Sequence, residues 1–153
     1  MELRDKNFEE LKRFLRRPSV LTKRCGELEN DIYGLTVIRD TIRKSSMDKS
    51  PPTELRLIKH RKGAGALRFA EKRLRNAETV LAETTTLLHE AEGAVSRLLA
   101  ELPPELRTIM EHKYIKLLDW EDVATATFFS VRSLHSRHNT AMNYLYQLYD
   151  PFR

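Results

Sequence analysis

An all-α fold, with long paired helices followed by a head of short ones, is predicted by three features of the sequence. The first is composition: only 5 glycines and one tryptophan occur among 153 residues, of which 32% are charged. With abundant Leu, Ala, Glu, Lys and Arg, this is the usage of long helices rather than sheets. The second is an apolar three-four alternation through Leu67, Ala70, Leu74, Ala77, Leu81, Thr84, Leu88, Ala91, Val95, Leu98 and Leu102, the repeat that lines the seam between paired helices. The third is punctuation. Adjacent prolines at 51–52 and 103–104, and the N-cap types Asp119 and Ser130, divide the chain into helical runs.

Taken in order, the first element is a short helix capped by Asn7 and carrying Phe8, Leu11, Phe14 and Leu15. Glu9 and Glu10 fall early, and Lys12, Arg13, Arg16 and Arg17 late, the order that a helix dipole favours. Pro18 is expected to separate it from the next helix, whose apolar positions Leu21, Cys25, Leu28, Ile32, Leu35 and Ile42 form a heptad seam. Residues 44–53, KSSMDKSPPT, are polar and contain two prolines, so a loop is expected there.

The third run begins near Glu54, is loosened by Gly63 and Gly65, and then carries the long alternation. From residue 66 to 102 a helix would be roughly 55 Å long, of which a helix over 19–42 could cover roughly 36 Å. Part of the seam is therefore expected to be buried by a second subunit or by the head. Residues 1–102 are thus expected to form a coiled-coil and oligomerisation arm, and residues 103–153 a separate unit.

That unit begins with prolines suited to a first helical turn, leading a helix through Glu105, Leu106, Ile109, Met110 and Tyr114. Asp119 caps a short helix over 120–125, with Glu121 and Asp122 in its first turn. Ser130 caps a longer one that keeps Leu134, His138, Ala141, Leu145 and Leu148 on one face. Only a tight turn fits between the two, so they must cross steeply as a helix-turn-helix, with the small Ala124 at their closest approach.

Opposite the apolar face, the longer helix carries Arg132, Ser136, Asn139 and Asn143, flanked by Ser133 and His135, with no aliphatic side chain among them. These side chains can hydrogen-bond both to phosphates and to base edges in a major groove. Ser130 and Arg137 on the same helix, and Lys113 and Lys116 on the helix at 104–114, complete a candidate double-stranded DNA surface. The competing reading is a packing or protein-interaction module with a polar outer face.

The stretches LPPELRTIMEHKYI, DWEDVATATFFS and VRSLHSRHNTAMNYL resemble region 4 of bacterial sigma factors. They are more similar to small phage and prophage regulators of the ArpU and RinA type, which couple such a module to a helical N-terminal part. Tyr114, Trp120, Glu121, Asp122, Val123, Ala124, Ser130, His138 and Ala141 match that pattern. Phe128 departs from it where glycine is usual, and Arg137 where an aliphatic residue is. The resemblance covers about the last third of the chain and implies a transcriptional regulator acting on late genes.

The formal charge of +5 suits a nucleic-acid partner, but the head is close to neutral and the excess lies upstream. Arg56, Lys59, Arg61, Lys62, Arg68, Lys72, Arg73 and Arg75 are offset only by Glu54 and Glu71. This run reads either as a solvated helix face or as a second phosphate contact. Cys25 is the single cysteine and reads as a small apolar residue. His60, His89, His112, His135 and His138 have no zinc-motif spacing; no phosphate loop or nucleophile elbow is present. No enzyme, cofactor or metal site is expected. His135 and His138 lie one turn apart without a third ligand, and read as DNA-facing and packed respectively.

Trp120, Phe128 and Phe129 are expected under the turn as core. No apolar run has the length of a membrane span and the N-terminus lacks a signal-peptide core, so a cytoplasmic protein with no membrane partner is expected. The leading reading is a sequence-specific DNA-binding regulator acting as a homodimer, since two heads can engage two half-sites. The alternatives are a DNA-packaging factor similar to a small terminase subunit, or a sigma-like protein contacting RNA polymerase. Small terminases generally place the DNA-binding part first, whereas here it comes last.

Overall fold

A computed structural model of the chain describes residues 2–46 and 54–149, with side chains described over 6–45 and 64–149. Five helices make up these residues: α1 (Glu2–Ser46), α2 (Glu54–Leu99), α3 (Pro104–Tyr114), α4 (Trp120–Thr127) and α5 (Val131–Leu148). The fold is all-α, with two long N-terminal helices that pack together and a head of three short ones. Residues 47–53 of the expected loop lie outside the described residues, while residues 44–46 belong to α1. No described helix is long and apolar enough to cross a membrane.

The expected break at Pro18 does not occur: α1 runs through it, and Asn7 lies inside the helix rather than at its cap. Proline removes one backbone hydrogen bond and crowds the carbonyl four residues back, a cost of about 3 kcal/mol or more in a helix interior. Here the ring is fully buried, as are Leu11 and Leu15 on the same stripe, so tertiary burial offsets that cost. Leu11, Leu15, Pro18, Leu21, Cys25 and Leu28 are steps of four, three, three, four and three, a seam the proline continues.

By packing, the described residues fall into two compact units, one drawn from Met1–Thr22 with Thr86–Arg153 and the other from Lys23–Thr85. In the second, α1 and α2 run antiparallel: the Cys25 Sγ lies 3.9 Å from the Thr85 Oγ1, and Arg43 pairs with Glu71 at 3.0 Å. Cys25, Leu28, Ala70 and Leu74 are buried between them, and Leu67, Ala77 and Leu81 half-buried. Thr84, the one polar member of the seam, donates its hydroxyl to the Val80 carbonyl at 2.6 Å. That bond removes the penalty of burying an unpaired donor.

The first unit has one principal core, where Leu11, Leu15, Val95, Leu99 and Leu102 meet Met110, Ala141, Met142 and Leu145. The ends of the long helices and the head therefore share a single apolar interior. Of the part of the seam left for a second subunit or the head to bury, Val95, Leu99 and Leu102 are covered by α1 and the head of the same chain. The expected cover falls short because it begins the first long helix after Pro18. A second cluster of Ile109, Val123 and Leu134, with Leu118, Trp120, Ala124 and Phe129 against it, joins α3, α4 and α5.

Candidate nucleic-acid interface

The geometry of the head is set by caps that the sequence encodes. Pro103 and Pro104 open α3, where a missing N–H costs nothing. Asp119 caps α4 by accepting from the Asp122 N–H at 2.8 Å, and Ser130 caps α5 by accepting from the Ser133 N–H at 3.1 Å. Between them Phe128 takes the left-handed conformation, φ 62° and ψ 16°, and its N–H closes onto the Ala124 carbonyl at 2.9 Å. This is the conformation for which glycine is usual at a helix C-terminus.

Phe128 is also 95% exposed, so the expectation that it packs under the turn is overturned. A residue at this position points away from both helices. Trp120 and Phe129 do pack against the second cluster.

The outward face of α5 is as polar as the periodicity implies. Arg132, Ser136, Asn139 and Asn143 are all exposed, and among the described residues Arg132, Asn139 and Asn143 have no side-chain hydrogen-bond partner. Their donors and acceptors are free to meet a ligand. His135 is exposed on the flank toward α4, its ring 5.0 Å from that of Trp120.

Three other candidates are engaged in the fold. The Ser130 hydroxyl is the α5 cap, and the partly buried Ser133 hydroxyl lies 3.3 Å from the Arg137 Nε, which donates to it. Arg137 Nη1 donates to Glu105 Oε1 at 2.6 Å, and the guanidinium lies 4.1 Å from the Phe129 ring centroid. It ties α5 to α3 and to the turn. A long planar cation can do this where an aliphatic residue could only pack.

Lys116 is exposed after α3. Lys113 is turned the other way, its Nζ 4.8 Å from the Trp120 ring centroid. It lines a cleft of about 470 Å³ together with Arg16, Ser19, Val20, Tyr114 and His138. Local rules put Arg16 merely at the end of a short helix. The uninterrupted spacing through Pro18 is the signal that α1 continues past it toward this cleft.

His138 is enclosed between Tyr114 and Trp120, its Nε2 2.7 Å from the Tyr114 hydroxyl. Burial pushes its pKa down to about 4, helped by the positive charges of His135, Lys113, Arg16 and Lys12. The ring is therefore neutral, and a neutral imidazole can share this hydrogen bond with the phenol in either direction, according to its tautomer. Burial likewise raises the Tyr114 pKa. Among the described residues no group of three His, Cys, Asp or Glu side chains is placed to hold a metal ion. Of the basic run upstream, Arg68, Lys72, Arg73 and Arg75 are exposed, while the side chains of Arg56, Lys59, Arg61 and Lys62 lie outside the described residues. Comparison with protein-family models, curated proteins and solved structures finds no match to this chain.

Proposed function

We propose that this protein is a sequence-specific DNA-binding transcriptional regulator of the phage and prophage type, reading the major groove through α5. The observation that carries the reading is the exposed stripe of Arg132, Ser136, Asn139 and Asn143, free of aliphatic side chains. It stands on the second helix of a tightly turned pair. A solvated face needs no such composition, whereas Arg is suited to guanine, and Asn to adenine, by paired hydrogen bonds. Rigid support strengthens the case. Capping by Ser130 and the Arg137 tie to Glu105 hold the stripe in one orientation, which base readout requires.

On this reading the chain acts in the cytoplasm, as a homodimer on paired half-sites. The half-site logic of two reading heads supports the dimer.

The test is binding to DNA fragments selected from a parent genome by the purified protein. The Arg132, Ser136, Asn139 triple alanine variant should lose sequence preference while keeping its helicity. Arg132→Ala alone should cost about 1–3 kcal/mol at the selected site and relax preference at one base pair. Unchanged affinity and preference in the triple variant would overturn the proposal. Mass in solution separates the packaging alternative, which calls for a ring of eight or more subunits instead of a dimer.

A further inference from the structure

The cleft bounded by α1, α3, α4 and α5 lies on a different side of the head from the DNA-reading stripe. His138, on its wall, is turned about 100° around α5 from Asn139. Three properties set it apart. Two cations, Arg16 and Lys113, reach it, and neither forms a close ion pair with a carboxylate among the described residues, although Glu9 is near enough to feel the charge of Arg16. Lys12, nearby, is by contrast paired with Glu9 at 3.0 Å. No Asp or Glu contributes to the lining.

The remaining surface is neutral and suited to a polar ligand. The Ser19 hydroxyl is a donor, Tyr114 and His138 are bonded to each other, and Val20, Leu117 and Leu118 keep one side apolar. Cations without a close ion pair in a concave, partly apolar site attract an anion more strongly than the same charges on an open surface. Lys113 is held over Trp120 by its ring contact, which neutralises no charge.

We propose that this cleft binds a phosphate group, with Arg16 and Lys113 as its cationic arms and the Ser19 hydroxyl as a further donor. The phosphate comes either from a free phosphorylated small molecule or from the backbone of bound DNA. Both offer the same oxygens to the same donors, and Arg is the side chain best matched to them. The site goes beyond the proposed function, since none of the stripe residues enters it.

Trp120 is the only tryptophan and forms part of the wall, so its fluorescence reports occupancy of the full-length chain directly. In the first arm, the protein is titrated with inorganic pyrophosphate, with sodium chloride at matched ionic strength as the reference and calorimetry as a second readout. A free ligand gives a saturable change that weakens at least about tenfold in the Arg16→Gln, Lys113→Gln double variant, the scale expected when a charged hydrogen bond is removed. The Lys116→Gln variant retains it.

In the second arm, the slope of log affinity for duplex DNA against log salt is measured for the same proteins. A backbone phosphate held in the cleft makes the slope of the double variant shallower by about 0.9. Circular dichroism verifies that the variants are folded. Either positive arm supports the site and identifies its source. No saturation with pyrophosphate together with an unchanged DNA slope overturns it, as does a pyrophosphate response that survives in the double variant. If the wild type binds no DNA, the proposed function fails and the pyrophosphate arm alone decides the cleft.

Discussion

Phe128 and His138 show how single residues are shaped by the short turns of the head. Phe128 holds a left-handed backbone with a side chain almost wholly in water, so it keeps the strain without gaining burial. Replacing it with glycine should stabilise the protein by about 1 kcal/mol, because only the penalty of the Cβ is removed. Chemical denaturation measures this, and an unchanged or lower midpoint for Phe128→Gly would mean that the aromatic ring has a packing role. His138 makes a different prediction. Its native pKa of about 4 lies below the 6.5 of an unperturbed histidine. Between those values the unfolded chain takes up a proton that the native state refuses, so stability falls as pH drops through this window and is fully present above it. The slope should reach at most about 1.4 kcal/mol per pH unit, less where solvent screens the ring. Denaturation curves at pH 4 to 7 for the wild type and His138→Gln should converge in slope outside the window and diverge within it; parallel curves throughout would contradict the burial assigned to the ring.

At the scale of elements, α5 has two kinds of arginine. Arg132 is exposed and unpartnered, whereas Arg137 is bonded to Glu105 and stacked on Phe129. Arg132→Ala should therefore change stability by less than about 0.5 kcal/mol, and Arg137→Ala should cost about 1 kcal/mol or somewhat more. Thermal unfolding of the two variants, set beside their DNA affinities, separates a reading residue from a supporting one. Equal destabilisation by both would show that the bond to Glu105 contributes nothing. The same contrast applies to Ser130, whose cap should be worth about 1 kcal/mol to α5 when it is changed to alanine.

For the whole molecule, the shared core of the first unit changes what truncation should do. From the sequence, residues 103–153 alone are expected to be a monomeric head. The structure places Leu11, Leu15, Val95, Leu99 and Leu102 against Met110, Ala141, Met142 and Leu145. Removing residues 1–102 should expose that apolar surface and leave the fragment largely unfolded or aggregated, which circular dichroism and sedimentation report. A folded, monomeric fragment would show that the second cluster of Ile109, Val123 and Leu134 suffices. The basic run of α2 belongs to this scale as well. If exposed Arg68, Lys72 and Arg75 lie along bound DNA, changing all three to glutamine should make the salt slope shallower by about 0.9 for each phosphate they no longer neutralise. An identical slope would leave them as an ordinary solvated face.

Much of this architecture is legible in the residues alone, because it rests on local rules. The alternation from Leu67 to Leu102 marks the inner face of α2 and its continuation into the core, and Asp119 and Ser130 start α4 and α5 where their side chains can cap. The exposed polar stripe of α5 follows from helical periodicity once the buried face is known. What the sequence could not decide were competitions between a local cost and a distant gain. Pro18 ends a helix by local rules, yet its ring is buried, and α1 continues. Phe128 reads as core by hydrophobicity, yet the backbone of the turn directs it into water. Arg137 and Lys113 read as cations for DNA. Only tertiary packing brings Glu105 and Phe129 to one, and Trp120 and the Arg16 cleft to the other, because Glu105 and Arg16 lie far off in the chain, while Phe129 and Trp120, though near in sequence, stand on segments that meet these cations only when the head folds.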